Sequence, residues 1–254
     1  MTRMLSRQRT LAIAFLLASL ASAAFADDLK LVTESYMIPS ADAGIQLYIR
    51  NKHPANLMGW SWGTAIMGMY TAQHNDKVHR LVLYAPLWIF STRPTIGGDG
   101  PLGAYRTVTK DSAKARWLTG VADDKKADLI PPGWFEQWAD ATWATDPESA
   151  KQSPPALRAP NGVLQDLRTY WVAGKAQYDP GDIKVPTLII HAEWDADLPS
   201  DQARGYFAKL TNAPYKRFVE LGEGTHTVMM EKNRMQFFHE VTNFLTESDP
   251  QALN

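Results

Sequence analysis

The chain has 254 residues, 45% of them hydrophobic and 21% charged, with 26 basic against 27 acidic side chains and no cysteine. These are the proportions of an ordinary globular protein large enough for one sizeable core. No basic patch stands out, so nucleic acid is not an expected partner. Without cysteine, thiol catalysis, disulfides and thiolate-ligated metal are all excluded.

Residues 1–26 have the form of an export signal. Arg3, Arg7 and Arg9 make a basic start, Leu11 to Leu20 is apolar, and Ala24-Phe25-Ala26 is a small-residue cleavage site before Asp27-Asp28. The apolar run is shorter than the roughly 20 residues a membrane-spanning helix requires. Its basic residues are Arg7 and Arg9 rather than an adjacent pair, which fits general export better than the twin-arginine route. Cleavage removes three Arg and no acid, moving the formal charge from −1 to −4. The mature protein is expected in the periplasm or outside the cell, with no stable membrane span.

Residues 30–50 read as a hairpin. "LKLVTESYMI" and "IQLYIR" alternate apolar and polar side chains about the turn "SADAG". The loop "NKHPA" follows. "NLMGW" is a short apolar strand, and "GTAIMGMYTAQH" places Ile66, Met69 and Tyr70 at helical spacing. "HRLVLYAPLW" then reads as a buried parallel strand. Strand, turn, helix and strand thus follow within about 30 residues, as in a βαβ unit.

From residue 89 to 182 Pro, Gly and Trp are frequent and strand patterns fade, so a helical insertion is expected there. "PPGWFEQWADATWATDP" predicts a helix with Trp134, Phe135 and Trp138 on one face. "GVLQDLRTYWVAGK" predicts another, using Val163, Leu164, Leu167 and Trp171. The α/β rhythm then returns. "VPTLIIHA" is a buried strand, "SDQARGYFAKL" a helix with Ser200 as expected N-cap, and "KRFVELG" a strand. "NRMQFFHEVTNFLTE" is an amphipathic helix turning Phe237, Phe238, Val241, Phe244 and Leu245 inward. Strands alternating with helices imply a mostly parallel sheet covered on both faces.

The chemistry begins at Gly59-Trp60-Ser61-Trp62-Gly63, a G-x-S-x-G pentapeptide between strand and helix. Small residues at both ends would let the chain turn sharply and present the hydroxyl at the strand's end. A serine nucleophile needs a base, and the base an orienting acid. Two later loops carry such groups. "LIIHAEWDADLP" offers Asp195, with Asp197 and Glu193 as alternatives, and "LGEGTHTVM" offers His226. The first follows a buried strand and the second the last strand, both at the same sheet edge as Ser61. Among the other histidines, His191 ends a strand and is expected to be structural, while His74, His79 and His239 fall on polar faces or in turns; His53 has no evident role. A metal site of His191, Glu193, Asp195 and His226 would lack any recognised ligand spacing.

With Ser61, Asp195 and His226 in that order, the sequence resembles the α/β-hydrolase superfamily over residues 59–88 and 185–247. Ala192-Glu193-Trp194-Asp195-Ala196-Asp197-Leu198-Pro199 is similar to the family's acid loop, and Gly222-Glu223-Gly224-Thr225-His226 to its histidine loop. The resemblance implies an α/β-hydrolase-like, mostly parallel sheet from residues 27–88 and 183–254, with residues 89–182 as a helical cap. It implies Ser61 as nucleophile, His226 as base and then acid, Asp195 as its orienter, and the N–H of Trp62 as an oxyanion-hole donor. It calls for no cofactor and no metal. The substrate it implies is a small-molecule ester. Trp60, Trp88, Trp134, Trp138 and Trp194 are candidates for an apolar pocket around an acyl or alkyl group. Acyl transfer, amide cleavage, perhydrolysis or simple binding of apolar ligands would use the same scaffold.

One departure from the family is plain. Its members carry two βα units between the first hairpin and the serine turn, on the order of 60–90 residues. Here the hairpin ends at Arg50 and the next strand begins at Asn56, as if an internal segment had been deleted near residues 53–56. The loop that gives the second oxyanion donor has no room, and the Ser61 strand should become a sheet edge or pair with the hairpin.

Overall fold

The computed structural model describes residues 32–39, 46–53, 55–90 and 100–248. The proposed export signal over residues 1–26 and the hairpin turn over 40–45 lie outside these. The chain divides into a unit ending at Pro54 and a second beginning at Ala55. In the first, β1 (Val32–Pro39) and β2 (Gln46–His53) pair antiparallel, from Val32 opposite His53 to Pro39 opposite Gln46. The expected loop "NKHPA" is therefore mostly strand: β2 runs to His53, and β3 (Ala55–Trp60) starts at Ala55.

The second unit opens with β3, α1 (Trp62–Gln73) and β4 (Val78–Tyr84), the expected βαβ unit with β3 and β4 parallel. The insertion follows. Beside its helices it holds an antiparallel ribbon, β5 (Tyr105–Thr109) with β6 (Ala156–Pro160). These strands have five residues each, Tyr-Arg-Thr-Val-Thr and Ala-Leu-Arg-Ala-Pro, too short for an apolar alternation to announce them. Between them lie α2 (Lys110–Trp117), α3 (Lys126–Leu129) and α4 (Trp134–Trp143). After β6, α5 (Gly162–Asp166) runs on into a wider π-type turn, Leu167–Trp171. Then come β7 (Thr187–Ala192), α6 (Ser200–Lys209), β8 (Lys216–Leu221) and α7 (Arg234–Thr246).

The central sheet of this unit has the order β3-β4-β7-β8, all parallel. Its two middle strands are buried on both faces. Val82, Tyr84, Leu188 and Ile190 pack against Phe237 and Phe244 of α7. Leu81, Leu83 and Ile189 pack with Ala203 and Tyr206 of α6, and Met67 and Tyr70 of α1 lie against them. Continuous apolar strands are what a doubly covered parallel sheet requires. β3 sits at the end of the order.

Three helix expectations need correction. Ser200 is not the N-cap of α6. Pro199 holds that position in extended conformation, and the Ser200 hydroxyl accepts from Arg204 Nε at 3.0 Å instead. On α1 the buried face is made of Thr64, Ala65, Gly68 and Thr71, while Ile66 is exposed. The reason is spatial: a Cβ on Gly68 would stand 2.1 Å from the Tyr178 hydroxyl, so only small residues fit that face. On α7, Phe237 and Phe244 are buried and Val241 and Leu245 lie against the core, but Phe238 is exposed.

Arg80 ties the end of the last helix to the sheet. Its guanidinium, buried in β4, donates to the carbonyls of Phe244 at 2.6 Å and Glu247 at 2.7 Å and lies 5.2 Å from the Phe244 ring centre. A helix C-terminus leaves such carbonyls unpaired and favours a cation there. Arg80→Ala is expected to destabilise the protein by about 3 kcal/mol, since two charge-assisted hydrogen bonds go and buried carbonyls remain. Urea denaturation of the variant checks this; a loss below about 1 kcal/mol would contradict the assignment.

Candidate active site

Ser61 lies between β3 and α1 with φ 54° and ψ −125°, a backbone region that a non-glycine residue occupies only at a cost. The surroundings hold it there. Its N–H donates to the Tyr84 carbonyl at 3.0 Å, at the end of β4. The Thr64 hydroxyl donates back to the Ser61 carbonyl and accepts the N–H of Leu87 at 2.9 Å. The two motif glycines are not equivalent. A Cβ on Gly59 would meet Gly63 O at 2.6 Å and Thr64 Cα at 2.7 Å, so strand and helix approach too closely for a side chain. A Cβ on Gly63 would meet nothing within 4 Å. The expectation that both ends of the motif must be small holds at Gly59 and not at Gly63.

Behind the turn, α1 starts at Trp62. The first amides of a helix have no intrahelical acceptor, and among the described residues no backbone acceptor takes the N–H groups of Trp62 and Gly63.

The acid and base loops leave the ends of β7 and β8. Asp195, its carboxylate fully buried, accepts from the N–H groups of Asp197 (3.0 Å) and Leu198 (2.9 Å) through Oδ1. Its Oδ2 lies 2.8 Å from Nδ1 of His226. An ionised carboxylate only accepts, so Nδ1 carries the proton and Nε2 is left as the basic nitrogen. Ser61 and His226 line one cavity of about 690 Å³, although no hydrogen bond joins them among the described residues. A smaller recess of about 190 Å³ beside Ser61 is walled by Leu164, Leu167, Leu198 and Arg106.

The rival groups have other partners. Asp197 pairs with Arg116 of α2, Oδ2 to Nη2 at 2.5 Å and Oδ1 to Nε at 3.2 Å. Glu193 accepts the N–H of Glu223 at 2.9 Å. His191 is buried, with Nε2 3.0 Å from the Leu198 carbonyl, and so steadies the far end of the acid loop. Among the described residues no three His, Asp or Glu side chains gather as a metal-binding set.

The histidine loop is heavily tied. The Tyr84 hydroxyl donates to the Thr225 carbonyl at 2.6 Å, and Trp60 Nε1 donates to the His226 carbonyl at 2.9 Å. Glu231, fully buried, accepts the N–H of Thr225 at 3.0 Å, the Thr225 hydroxyl, and Nε1 of Trp117 from α2 at 2.8 Å. Burial pushes the Glu231 carboxyl above the usual range, and the Asp195 charge adds to this. No sequence motif marked Glu231; a lone acid among the apolar and basic residues after His226 was the only signal.

The predicted pocket aromatics divide. Trp60 and Trp138 line the cavity, together with Trp62, Trp117 and Trp143. Trp88 does not: it is buried edge-on against Tyr206, 5.5 Å between ring centres. Trp134 instead lies under the Arg234 guanidinium at 4.4 Å on the outer surface. Trp194 stays out of the cavity too, its main chain closing the loops through Trp194 N–H to Gly224 O at 2.8 Å. Trp117 and Trp143 make edge contacts with Trp138 at 5.5 and 6.1 Å, but Trp117 lies on another helix and Trp143 five residues on, so no helical spacing marks them.

Comparison with known proteins adds the following. The family described as alpha/beta hydrolase fold matches residues 48–233. No curated protein matches the chain. Among solved structures, 2-hydroxy-6-oxo-6-phenylhexa-2,4-dienoate hydrolase from Rhodococcus sp. strain RHA1 is 13% identical with TM-score 0.51, covering 76% of this chain and 64% of that one. A serine hydrolase involved in carbazole degradation is 19% identical with TM-score 0.49, covering 75% and 63%. An esterase from Exiguobacterium antarcticum is 19% identical with TM-score 0.48, covering 77% and 68%. The chain thus spans under two thirds of the length of the first two.

Two outcomes test this geometry. Gly59→Ala should cost about 3 kcal/mol or more, because backbone must move, whereas Gly63→Ala should be neutral or up to about 1 kcal/mol stabilising as an ordinary helical replacement. Equal effects in thermal or urea unfolding would refute the distinction. Glu231 titrates with a raised folded-state pKa. Its contribution is therefore full below the unfolded-state value and lost as pH rises towards the folded one. The stability of wild type relative to Glu231→Gln should fall as pH rises from about 4 to neutrality; a difference independent of pH would contradict the burial assigned to it.

Proposed function

Since this chain belongs to the α/β hydrolase fold family, we propose that it is a serine hydrolase that cleaves a carboxylic ester through an acyl-enzyme. The observation that carries the reading is the His226–Asp195 pair at 2.8 Å facing a cavity that Ser61 also lines. In the proposed reaction Nε2 of His226 takes the Ser61 proton as Oγ attacks the ester carbonyl. Asp195 keeps the proton on Nδ1 and stabilises the imidazolium that forms. The Trp62 N–H donates to the tetrahedral oxyanion. His226 then protonates the departing alcohol, and a water activated by the same nitrogen releases the acid and restores Ser61. The aromatic wall suits an apolar acyl or alkyl portion. The leader features of residues 1–26 support export to the periplasm or beyond, and the acceptor of the reaction is water, with neither cofactor nor metal assigned.

A second reading has its own support. Only Pro54 separates β2 from β3, so the family's loop with the second oxyanion donor is not built from the residues between them. One lost donor costs about 10²–10³ in turnover. A scaffold that binds apolar ligands and turns over slowly or not at all is the alternative.

An active-site-directed fluorophosphonate probe separates the two. Wild type should label covalently and hydrolyse a p-nitrophenyl ester, and Ser61→Ala should abolish labelling and lower turnover by at least about 10³-fold. Labelling of wild type no greater than that of Ser61→Ala would leave the ligand-binding reading standing. Asp195→Asn should lower kcat by about 10⁴-fold with the fold intact, through the wrong His226 tautomer.

A further inference from the structure

Two arginines of the insertion face the Ser61 cavity, and they are not equivalent. Arg116 presents its Nε–Nη2 edge to the Asp197 carboxylate, which fills it. Arg106 of β5 lines both the larger cavity and the recess beside Ser61. Its Nη1 is anchored, donating to the Pro160 carbonyl at 3.0 Å and to Oδ1 of Asn161 at 3.2 Å. Asn161 is itself buried, and its Nδ2 donates to the Gly103 carbonyl at 3.0 Å, so the anchor is fixed. A guanidinium has five N–H donors in a planar fork. With Nη1 occupied, the Nε–Nη2 edge of Arg106 remains, and no carboxylate pairs with it among the described residues. That edge is the one that takes a carboxylate through two parallel hydrogen bonds.

We propose that Arg106 is a carboxylate-binding residue of the substrate site, and that the ester taken there carries a free carboxylate at the end remote from the scissile bond. The proposal rests on Ser61 being the nucleophile of an ester hydrolase, and it narrows the substrate class from apolar to anionic. A half-buried cation whose neighbour is another arginine is costly to leave unpaired. Burial and the Arg116 charge both lower the Arg106 pKa, the direction an incoming anion would reverse. The leucines that line the recess together with Ser61 and Arg106 suit the methylene stem of such a substrate, and the fork its end. Asn161 and the Pro160 carbonyl act as positioning groups by holding the guanidinium plane.

The test compares esters matched in length. The mono-p-nitrophenyl ester of glutaric acid carries the carboxylate on the acyl side; p-nitrophenyl pentanoate is its neutral counterpart. 4-Carboxyphenyl butyrate against phenyl butyrate places the charge on the leaving side. The ratio of kcat/KM, anionic over neutral, should exceed one in one of these pairs. Arg106→Gln should lower that ratio by about 10- to 100-fold, and Arg106→Lys, keeping charge but not the fork, should restore it only in part. Circular dichroism establishes that each variant is folded. A second readout needs no turnover: Ser61→Ala protein should bind glutarate in calorimetry, and adding Arg106→Gln should weaken that binding by a similar factor. Esters hydrolysed at a ratio that Arg106→Gln leaves unchanged would overturn the carboxylate site while the hydrolase stands. Glutarate binding lost with Arg106, but no ester turned over by wild type, would overturn the hydrolase while the site stands. Glutarate binding that is absent, or indifferent to Arg106, counts against the site in either case.

Discussion

Everything in the candidate site depends on one backbone conformation, that of Ser61. A residue at φ 54° and ψ −125° is held about 1–3 kcal/mol above a relaxed one. The cost is met by the pairing of β3 with β4. Trp60 stands opposite Tyr84 in that register, and the Tyr84 carbonyl then takes the Ser61 N–H. Gly59 lets α1 fold straight back over β3. Thr64 stitches the carbonyl of Ser61 to the segment that leaves β4, at Leu87. Strand, turn and helix are thus one rigid corner, and the hydroxyl at its tip stays at the carboxyl end of the sheet, beside the unpaired amides of α1.

That corner would be idle without the loops after β7 and β8, and these are set by packing of buried polar groups. Two carboxylates lie close beneath the cavity in unlike surroundings. Asp195 has two backbone N–H donors and an imidazole. Glu231 has a threonine and the Trp117 indole, and its ionised form is disfavoured by burial. The first holds the His226 imidazole in place through Nδ1. The second joins the histidine loop to α2 of the insertion. Arg116, one residue before Trp117, grips Asp197 of the acid loop. The same short helix therefore touches both loops, and any shift of the insertion would be felt at His226 and Asp195 together.

The legible parts of this molecule are those whose signals are local. β4 and β7 announce themselves because strands buried on both faces must be apolar throughout. Ser61, Asp195 and His226 stand out because each lies just after a strand, in a glycine-rich or acidic turn or loop, although only the strand before Asp195 is buried throughout. What was illegible depends on distant neighbours. Nothing near Ile66 says that the α1 face opposite it is filled by Tyr178, which reserves the inner side for Gly68 and Ala65. The β5–β6 ribbon joins residues about fifty apart in sequence, with strands of five residues that are too short to show an alternation. Trp88, Trp134 and Trp194 were plausible pocket residues because tryptophan is large and apolar, but size alone does not say which side of the chain it fills.

The shortened stretch before Ala55 has a physical consequence that differs for chemistry and for architecture. Ser61, Asp195 and His226 all come from elements that begin at Ala55, on three strands of one sheet and the loops that leave them. The groups that would move the proton are thus independent of what precedes them. In the proposed reaction the stabilisation of the oxyanion is not, because one donor would come from a loop for which the residues between β2 and β3 leave no room. The sheet is affected in the same direction. β3 becomes the end strand of the four-stranded sheet, and Met58, Trp60 and Ile66 around it are exposed. An apolar end strand is a surface prone to association. In the proposed reaction, where Ser61, Asp195 and His226 move the proton, charge stabilisation rather than nucleophile activation is therefore the step that the shortened stretch before Ala55 would weaken.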